Sequence, residues 1–379
     1  MPKLKYIFVH GLSGWGQYDP MYKRMPYWGM RGGDLISFLR KSGFDCYAAS
    51  VDPTGSAWDR ACELYAQIAG KRTDYGKYHS EQYNHARYGK DFTDRPLIKE
   101  WSDDTRLVLI GHSFGGVTAR LFAELLSNGD RDEQNSTRDG SLSELFKGGY
   151  SKRIFSIVTL AAPTNGTTAY DLFEDPDFDP SSVKVPVWSK AFAKMMSAGT
   201  SPKRDYRDPK DYADYDMHVD RAQEINERIQ TLPEVYYFSV PCSKTALSDG
   251  KHVPQKGMEQ LFTMRSYQIG AYTGTTRGGI AIGEEWKEND GLVNTYSALA
   301  PHNAPRCPYD AEKIEPGIWN VMPVLKEDHM YLQGGLGKRH NIRPFYTGLI
   351  TMIDELYNKE TRRKAWMHLK QSSPEEAPE

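Results

Sequence analysis

Four short apolar runs, Leu4 to Val9, Leu107 to Ile110, Ile154 to Leu160 and Val235 to Val240, are rich in β-branched or aromatic residues and hold few polar positions. Runs of that length without strict alternation predict strands buried on both faces. Between and after them, Trp58 to Ala69, Val117 to Leu126 and Leu349 to Tyr357 place apolar residues three or four apart, the period of a helix with one buried face. Strands alternating with helices predict an α/β fold whose mostly parallel central sheet is flanked by helices. Two segments break the rhythm and read as insertions: residues 70 to 100, polar and tyrosine-rich, and residues 164 to 215, rich in proline, aspartate and lysine around the amphipathic stretch VPVWSKAFAKMMSA. The expectation is one domain over 1–361, with 362–379, ending QSSPEEAPE, as a frayed tail.

Composition supports this picture and removes several function classes. Of 379 residues, 39% are hydrophobic and 26% charged, enough to bury a large core. The 48 basic and 50 acidic residues give a net charge of -2 without long blocks of one sign, so no nucleic-acid footprint is visible. No apolar run approaches the roughly 20 residues that span a bilayer. The start, MPKLKYIFVHG, enters an apolar run at once and lacks the regions of a signal peptide, which leaves a cytoplasmic protein or one whose signal has been removed. Cys46, Cys62, Cys242 and Cys307 show no CxxC spacing and are too few for a disulfide scaffold, so they leave compartment and disulfide state open.

Chemistry concentrates at RLVLIGHSFGGVTARLFAELL, where Gly111-His112-Ser113-Phe114-Gly115 lies between a strand-like run and a helix-period segment. A serine hydroxyl becomes a useful nucleophile only when it is exposed, near a base and beside donors for an oxyanion. A sharp strand-to-helix turn supplies the exposure and demands small residues two before and two after the serine. The helix that follows directs its N-terminal amides at developing negative charge. His10-Gly11-Leu12 ends the first strand, at the point where an HG turn in α/β-hydrolases contributes a backbone amide to the oxyanion hole; the second amide is that of Phe114. The acid and base are expected downstream in the order Asp or Glu, then His. Of the downstream histidines His218, His252, His302, His329, His340 and His368, His329 in VLKEDHMYLQGG stands just ahead of the last core helix. Asp290 in WKENDGLVNT precedes it and starts an acid-glycine turn; each of these two assignments depends on the other.

These blocks, together with YWGMRGGDL, KRTDYGKYHSEQYNHARYGK, LAAPTNGTT, YYFSVPCSKT and DHMYL, resemble the zinc-containing thermoalkalophilic lipases of Gram-positive bacteria, relatives of the staphylococcal lipases with the α/β-hydrolase fold. The resemblance implies Ser113 as nucleophile, His329 as general base, Asp290 as its orienting acid, and the amides of Leu12 and Phe114 as the oxyanion hole. It also implies a structural zinc held by Asp59, His79, His85 and, in YDMHVDRAQEIN, Asp216. Two imidazoles and two carboxylates suit a closed four-coordinate site with no open position for substrate. Secretion is implied by the family alone.

The chain departs from the family in three places. Gly111 and Phe114 stand where alanine and glutamine are usual. The segment before Asp216 is short, implying a lid reduced to VPVWSKAFAKMMSA or lost. A family calcium site, whose carbonyl position matches Gly257, is expected to be absent, because MYLQGGL after His329 supplies no carboxylate. The expected function is a serine carboxyl-ester hydrolase cleaving acyl esters, triglycerides or polyesters, at an interface or polymer surface, with Phe114 and Trp15 as candidate walls for the acyl chain. Acyl transfer or amide hydrolysis by the same triad, and a silent zinc-stabilised binding module, are the alternatives. Oligomeric state is not legible.

Overall fold

The computed structural model describes residues 4–186 and 208–372. The stretch VPVWSKAFAKMMSA lies almost wholly outside the described residues, and with it the expected lid. The central sheet has seven strands: β1 (Leu4–Val9), β2 (Asp45–Ala49), β3 (Arg106–His112), β4 (Ile154–Leu160), β5 (Tyr236–Val240), β6 (Arg306–Pro308) and β7 (Trp319–Val321). Their order is β6-β7-β5-β4-β3-β1-β2, and every neighbouring pair runs parallel. The four predicted runs form β1, β3, β4 and β5 at the centre. They were visible because a parallel strand covered on both sides has no polar face to keep. The three missed strands are outer ones: DCYAA lacks a β-branched residue, and RCP and WNV are three residues long.

Helix α1 (Leu35–Lys41) precedes β2, and α2 (Ala57–Ala69) and α4 (Phe114–Asn128) pack against each other and the sheet. Ser56 caps α2, its Oγ accepting from Asp59 N at 3.2 Å. The period of α2 predicts one buried face, yet Arg60, Glu63 and Gln67 on the other face are buried as well. Arg60 is covered by the turn after β1, Gln67 Oε1 accepts from Ser50 N at 2.8 Å, and Glu63 is covered by the 70–100 insertion. The insertion forms an antiparallel pair, Arg72–Asp74 with Tyr88–Asp91, enclosing the short helix α3 (Lys77–Gln82). Trp58 Nε1 donates to Tyr75 O at 2.7 Å and Tyr75 Oη donates to Glu63 Oε1 at 2.8 Å. Polar groups buried with partners in this way do not carry the penalty of orphaned ones.

By internal contacts the chain divides into two units, Met1–His340 and Asn341–Glu379. In the second, a single helix runs Arg343–Ser372, so the expected tail begins inside a helix that continues for ten residues beyond residue 362. Among the described residues the four cysteines are free thiols; Cys46, Cys62 and Cys242 are buried. No described helix is long and apolar enough to cross a membrane.

Candidate active site and metal cluster

At the carboxyl end of β3 the chain turns sharply into α4, and Ser113 occupies the turn with φ 54° and ψ -132°. A non-glycine residue held there stores about 1–3 kcal/mol of strain, which the surrounding packing must impose. Ser113 N donates to Leu160 O at 2.8 Å and Gly116 N to Ser113 O at 2.9 Å, pinning the residue from both sides. The flanking glycines are needed for close approach: a Cβ at Gly111 would lie 2.3 Å from Gly115 O, and one at Gly115 would lie 2.2 Å from Val9 O. The GxSxG spacing therefore reflects the distance between β3, α4 and β1.

The HG turn lies against the serine. Val9 pairs with Gly111 in the sheet, and a Cβ on Gly11 would sit 2.8 Å from Ser113 Cβ. The buried Arg60 of α2 braces this turn from behind. Its guanidinium donates to the carbonyl of His10, to Asp52 O at 3.0 Å and through Nε to Thr118 Oγ1 at 2.9 Å. Burial pushes Arg60 down to about 10 and the neighbouring Arg60 charge, after burial itself, helps push His10 down to about 3. Neither the charge of Arg60 nor its place on the polar side of α2 marks this contact in the sequence. The Phe114 ring is fully buried in the core, with the Arg60 guanidinium 5.2 Å from its centroid, and is not a surface wall. Trp15 is half-buried, bonded through Nε1 to Met25 O at 2.7 Å and set edge-on to Tyr27.

Asp290 and His329 come together across 39 residues of sequence. His329 Nδ1 lies 2.8 Å from Asp290 Oδ2, and His329 N donates to Asp290 O at 3.0 Å. The other carboxylate oxygen of Asp290 accepts from Leu292 N at 3.0 Å and Val293 N at 2.8 Å, which is why an acid begins this turn. Both residues are buried. The carbonyl of His329 meets His112 Nε2 at 2.9 Å, and the two imidazoles are 4.8 Å apart between centroids, so His329 stands beside the residue that precedes Ser113. The remaining histidines have other company: His218 pairs with Asp171 at 3.1 Å, His252 lies 3.3 Å from Thr245 Oγ1, and His302 and His340 pack on Tyr296 and Tyr331.

A second cluster forms where the insertion meets α2. Asp59, His79, His85 and Asp211 each present one ligand atom, all within 4.8 Å of one another. His79 Nε2 is 3.3 Å from Asp59 Oδ1 and 3.2 Å from Asp211 Oδ1; His85 Nε2 is 3.3 Å from Asp211 Oδ2. A tetrahedron built on bonds of about 2.0–2.1 Å has edges of about 3.3 Å, which these three separations match, while His85 Nε2 lies farther from Asp59 Oδ1, at 3.9 Å. The two Nε2 atoms and both Asp211 oxygens are buried and make no hydrogen bond to other groups. His85 Nδ1 faces Ala86 O at 3.0 Å, which places the proton there and leaves Nε2 as the donor to an ion. Burial lowers His79, but the Asp211 and Asp59 carboxylates outweigh it and raise it to about 9. Such a donor set seeks positive charge and could hold a metal ion.

Asp216 is not a member of the cluster, which corrects the expected ligand set. Its Oδ2 accepts from Ala57 N at 2.8 Å, at the start of α2, and its Oδ1 from Arg221 Nε at 3.3 Å. Asp211 takes the fourth place because the chain at Tyr212 bridges to Gly55, drawing the preceding residue towards Asp59, while a helical turn, Ala213–Asp216, carries Asp216 past it. Four aspartates lie within nine residues here, and sequence alone could not say which one the backbone delivers. Near Gly257, the carboxylates of Glu259 and Asp328 accept from the backbone amides of Gly337 and Met330.

The chain is similar to known lipases. It is 33% identical over 403 residues to the lipase of Staphylococcus hyicus and 32% identical over 398 residues to lipase 2 of Staphylococcus aureus, covering 96% of this chain in each case. It spans 60% and 56% of the length of those two proteins. Among solved structures, EstA from Clostridium botulinum superposes with a TM-score of 0.80 at 30% identity, covering 93% of this chain and 87% of that one. The Staphylococcus hyicus lipase structure gives 0.78 at 28% identity (95% and 97%), and lipase 1 from Pelosinus fermentans 0.74 at 30% (94% and 99%). These neighbours establish the α/β-hydrolase fold. A family model described as lipase-like, C-terminal domain, matches residues 3–182 and 201–364, and the chain belongs to that family.

Proposed function

We propose that the protein is a serine carboxyl-ester hydrolase, a lipase or esterase, that works through an acyl-enzyme on Ser113. The observation that carries the reading is the His329–Asp290 pair at 2.8 Å, tied through His112 to the strained turn that holds Ser113. In this mechanism His329 Nε2 takes the proton from Ser113 Oγ, and the alkoxide attacks the ester carbonyl. The amides of Leu12 and Phe114 receive the oxyanion, and Asp290 holds the imidazole in the tautomer with Nδ1 protonated. The alcohol leaves with the proton from His329, and water, activated by the same histidine, releases the acid. The relatives named lipase support lipid esters as substrates, and the proposal extends from short soluble esters to triglycerides and polyesters. Release outside the cell, implied by the resemblance, goes with this proposal.

Asp59, His79, His85 and Asp211 would hold a zinc ion as a structural tie between α2, the insertion and the segment before residue 212. Two imidazoles among the four ligands favour zinc over calcium or magnesium, which prefer oxygen. Ser113→Ala should abolish turnover of p-nitrophenyl esters while leaving the melting temperature nearly unchanged. Retained turnover would sink the mechanism. Run on the parent protein with an added alcohol or amide, the same assay separates hydrolysis from acyl transfer and amide cleavage.

A further inference from the structure

Three parts of the proposed machinery, the HG turn, the nucleophile elbow and the histidine loop, come from segments far apart in sequence, and all three converge on one phenol. Tyr27 Oη accepts from Gly11 N at 2.9 Å, lies 2.8 Å from His112 Nδ1 and accepts from Gln333 Nε2 at 2.5 Å. A phenol has one proton to give and two lone pairs, so these three partners use its capacity in full. His112 continues the chain. A carbonyl can only accept, so the contact of Nε2 with His329 O requires the proton on Nε2 and leaves Nδ1 to accept from Tyr27 at 2.8 Å and from Gln333 Nε2 at 2.6 Å. Burial and the neighbouring His329 hold His112 well below the ordinary imidazole range, which keeps it neutral with one donor and one acceptor. Tyr27, His112 and Gln333 are all buried, and Tyr27 is wedged by Trp15 and Trp28 with ring centroids 5.6 Å and 5.3 Å away.

We propose that Tyr27 and His112 are positioning residues for the ester hydrolysis, a hydrogen-bonded chain running Gly11, Tyr27, His112, His329 that holds the oxyanion turn and the general base at a fixed separation on either side of Ser113. The inference rests on the serine-hydrolase reading above. Neither side chain exchanges a proton with substrate. Their effect is on geometry: without the chain, the Leu12 amide next to Gly11 and the His329 ring drift independently. That drift weakens interactions made in the transition state more than those made with bound ester.

Tyr27→Phe removes one oxygen and keeps the ring packing. Removing an oxyanion donor outright costs about 100- to 1000-fold in kcat, so loosening one should lower kcat about 10- to 100-fold. KM should stay within about threefold and the melting temperature within a few degrees. His112→Asn should act on the same parameter, and the double variant should be no slower than the slower single, because both break one chain. Titration of active sites with a fluorophosphonate separates a slow enzyme from a partly unfolded one, and if His112→Asn does not fold, Tyr27→Phe decides alone. A Tyr27→Phe enzyme with parental kcat, with only KM raised, or with a loss equal to its loss of titratable sites overturns the inference. Ser113→Ala is measured alongside: turnover there would instead overturn the serine-hydrolase reading, whatever Tyr27→Phe does.

Discussion

Asp211 and Asp216 differ by five positions and carry the same chemistry, yet the structure gives them different work, and exchanging each for asparagine should separate the two roles. Asp211 offers both oxygens to the imidazoles of His79 and His85, with no hydrogen-bond donor from elsewhere. Asp211→Asn removes one of the four groups proposed to hold the metal. Altering even an outer partner of a metal ligand weakens binding about 10- to 100-fold, so about 100-fold is a modest expectation for a ligand itself. At free metal well above the parental Kd, a 100-fold loss lowers stability by about 2.7 kcal/mol. At about 2 °C per kcal/mol for a chain of this size, the melting temperature should fall by about 5 °C. Asp216→Asn keeps an oxygen for the Ala57 amide and loses only the charge facing Arg221, so it should retain the metal and lose about 1 kcal/mol or less. Differential scanning fluorimetry with and without chelator, alongside metal content by mass spectrometry, reads both. If Asp216→Asn emptied the site while Asp211→Asn kept one zinc per chain, the assignment of the fourth ligand would be wrong. Should complete metal removal leave the melting temperature unmoved, the structural role itself would fall.

Two further perturbations address the elbow and the core beneath it. Asp290→Asn keeps an oxygen for Leu292 N and Val293 N but turns an amide NH₂ towards His329 Nδ1, forcing the wrong tautomer; kcat on p-nitrophenyl butyrate should fall about 10⁴-fold with the melting temperature little changed, and a loss under tenfold would remove Asp290 from the triad. Glu63, fully enclosed by α2 and the insertion, is raised by burial to about 7, so between the ordinary carboxyl range near pH 4.5 and pH 7 it is protonated when folded and ionised when unfolded. Its contribution is present below pH 4.5 and lost as pH rises through 7, and Glu63→Gln should flatten the stability profile by up to one proton across that window, as read from urea melts at successive pH values.

The legible parts of this chain share a physical origin. The central strands β1, β3, β4 and β5 were written as apolar runs because both faces are covered, and Ser113 was marked by glycines that no other residue could replace without striking β1 or the elbow itself. Asp290 and His329 could be ordered by their place in the chain, since each lies in a loop at an element boundary. His79 and His85 stood out as two histidines in a segment with no periodicity. Less legible were residues whose character is set by what covers them. Arg60 and Glu63 sit on the polar side of an amphipathic helix and would face water, had the turn after β1 not closed over Arg60 and the 70–100 insertion over Glu63. Tyr27 and Gln333 look like ordinary loop residues until the histidine loop folds back and gives the phenol its three partners.

By itself, then, the sequence determined the α/β alternation, the strand that presents the serine, and the types of side chain available for acid, base and metal. Those properties are local: they follow from period, from the size of glycine and from the donor chemistry of each residue. The tertiary structure decided which of several equivalent aspartates reaches the two imidazoles, how a buried arginine comes to hold the turn after β1, and how a tyrosine comes to join that turn to the histidine loop. These are choices among chemically identical groups, and they are made by where the backbone carries each group, as when the Gly55–Tyr212 bridge draws Asp211 to Asp59 and one helical turn takes Asp216 away.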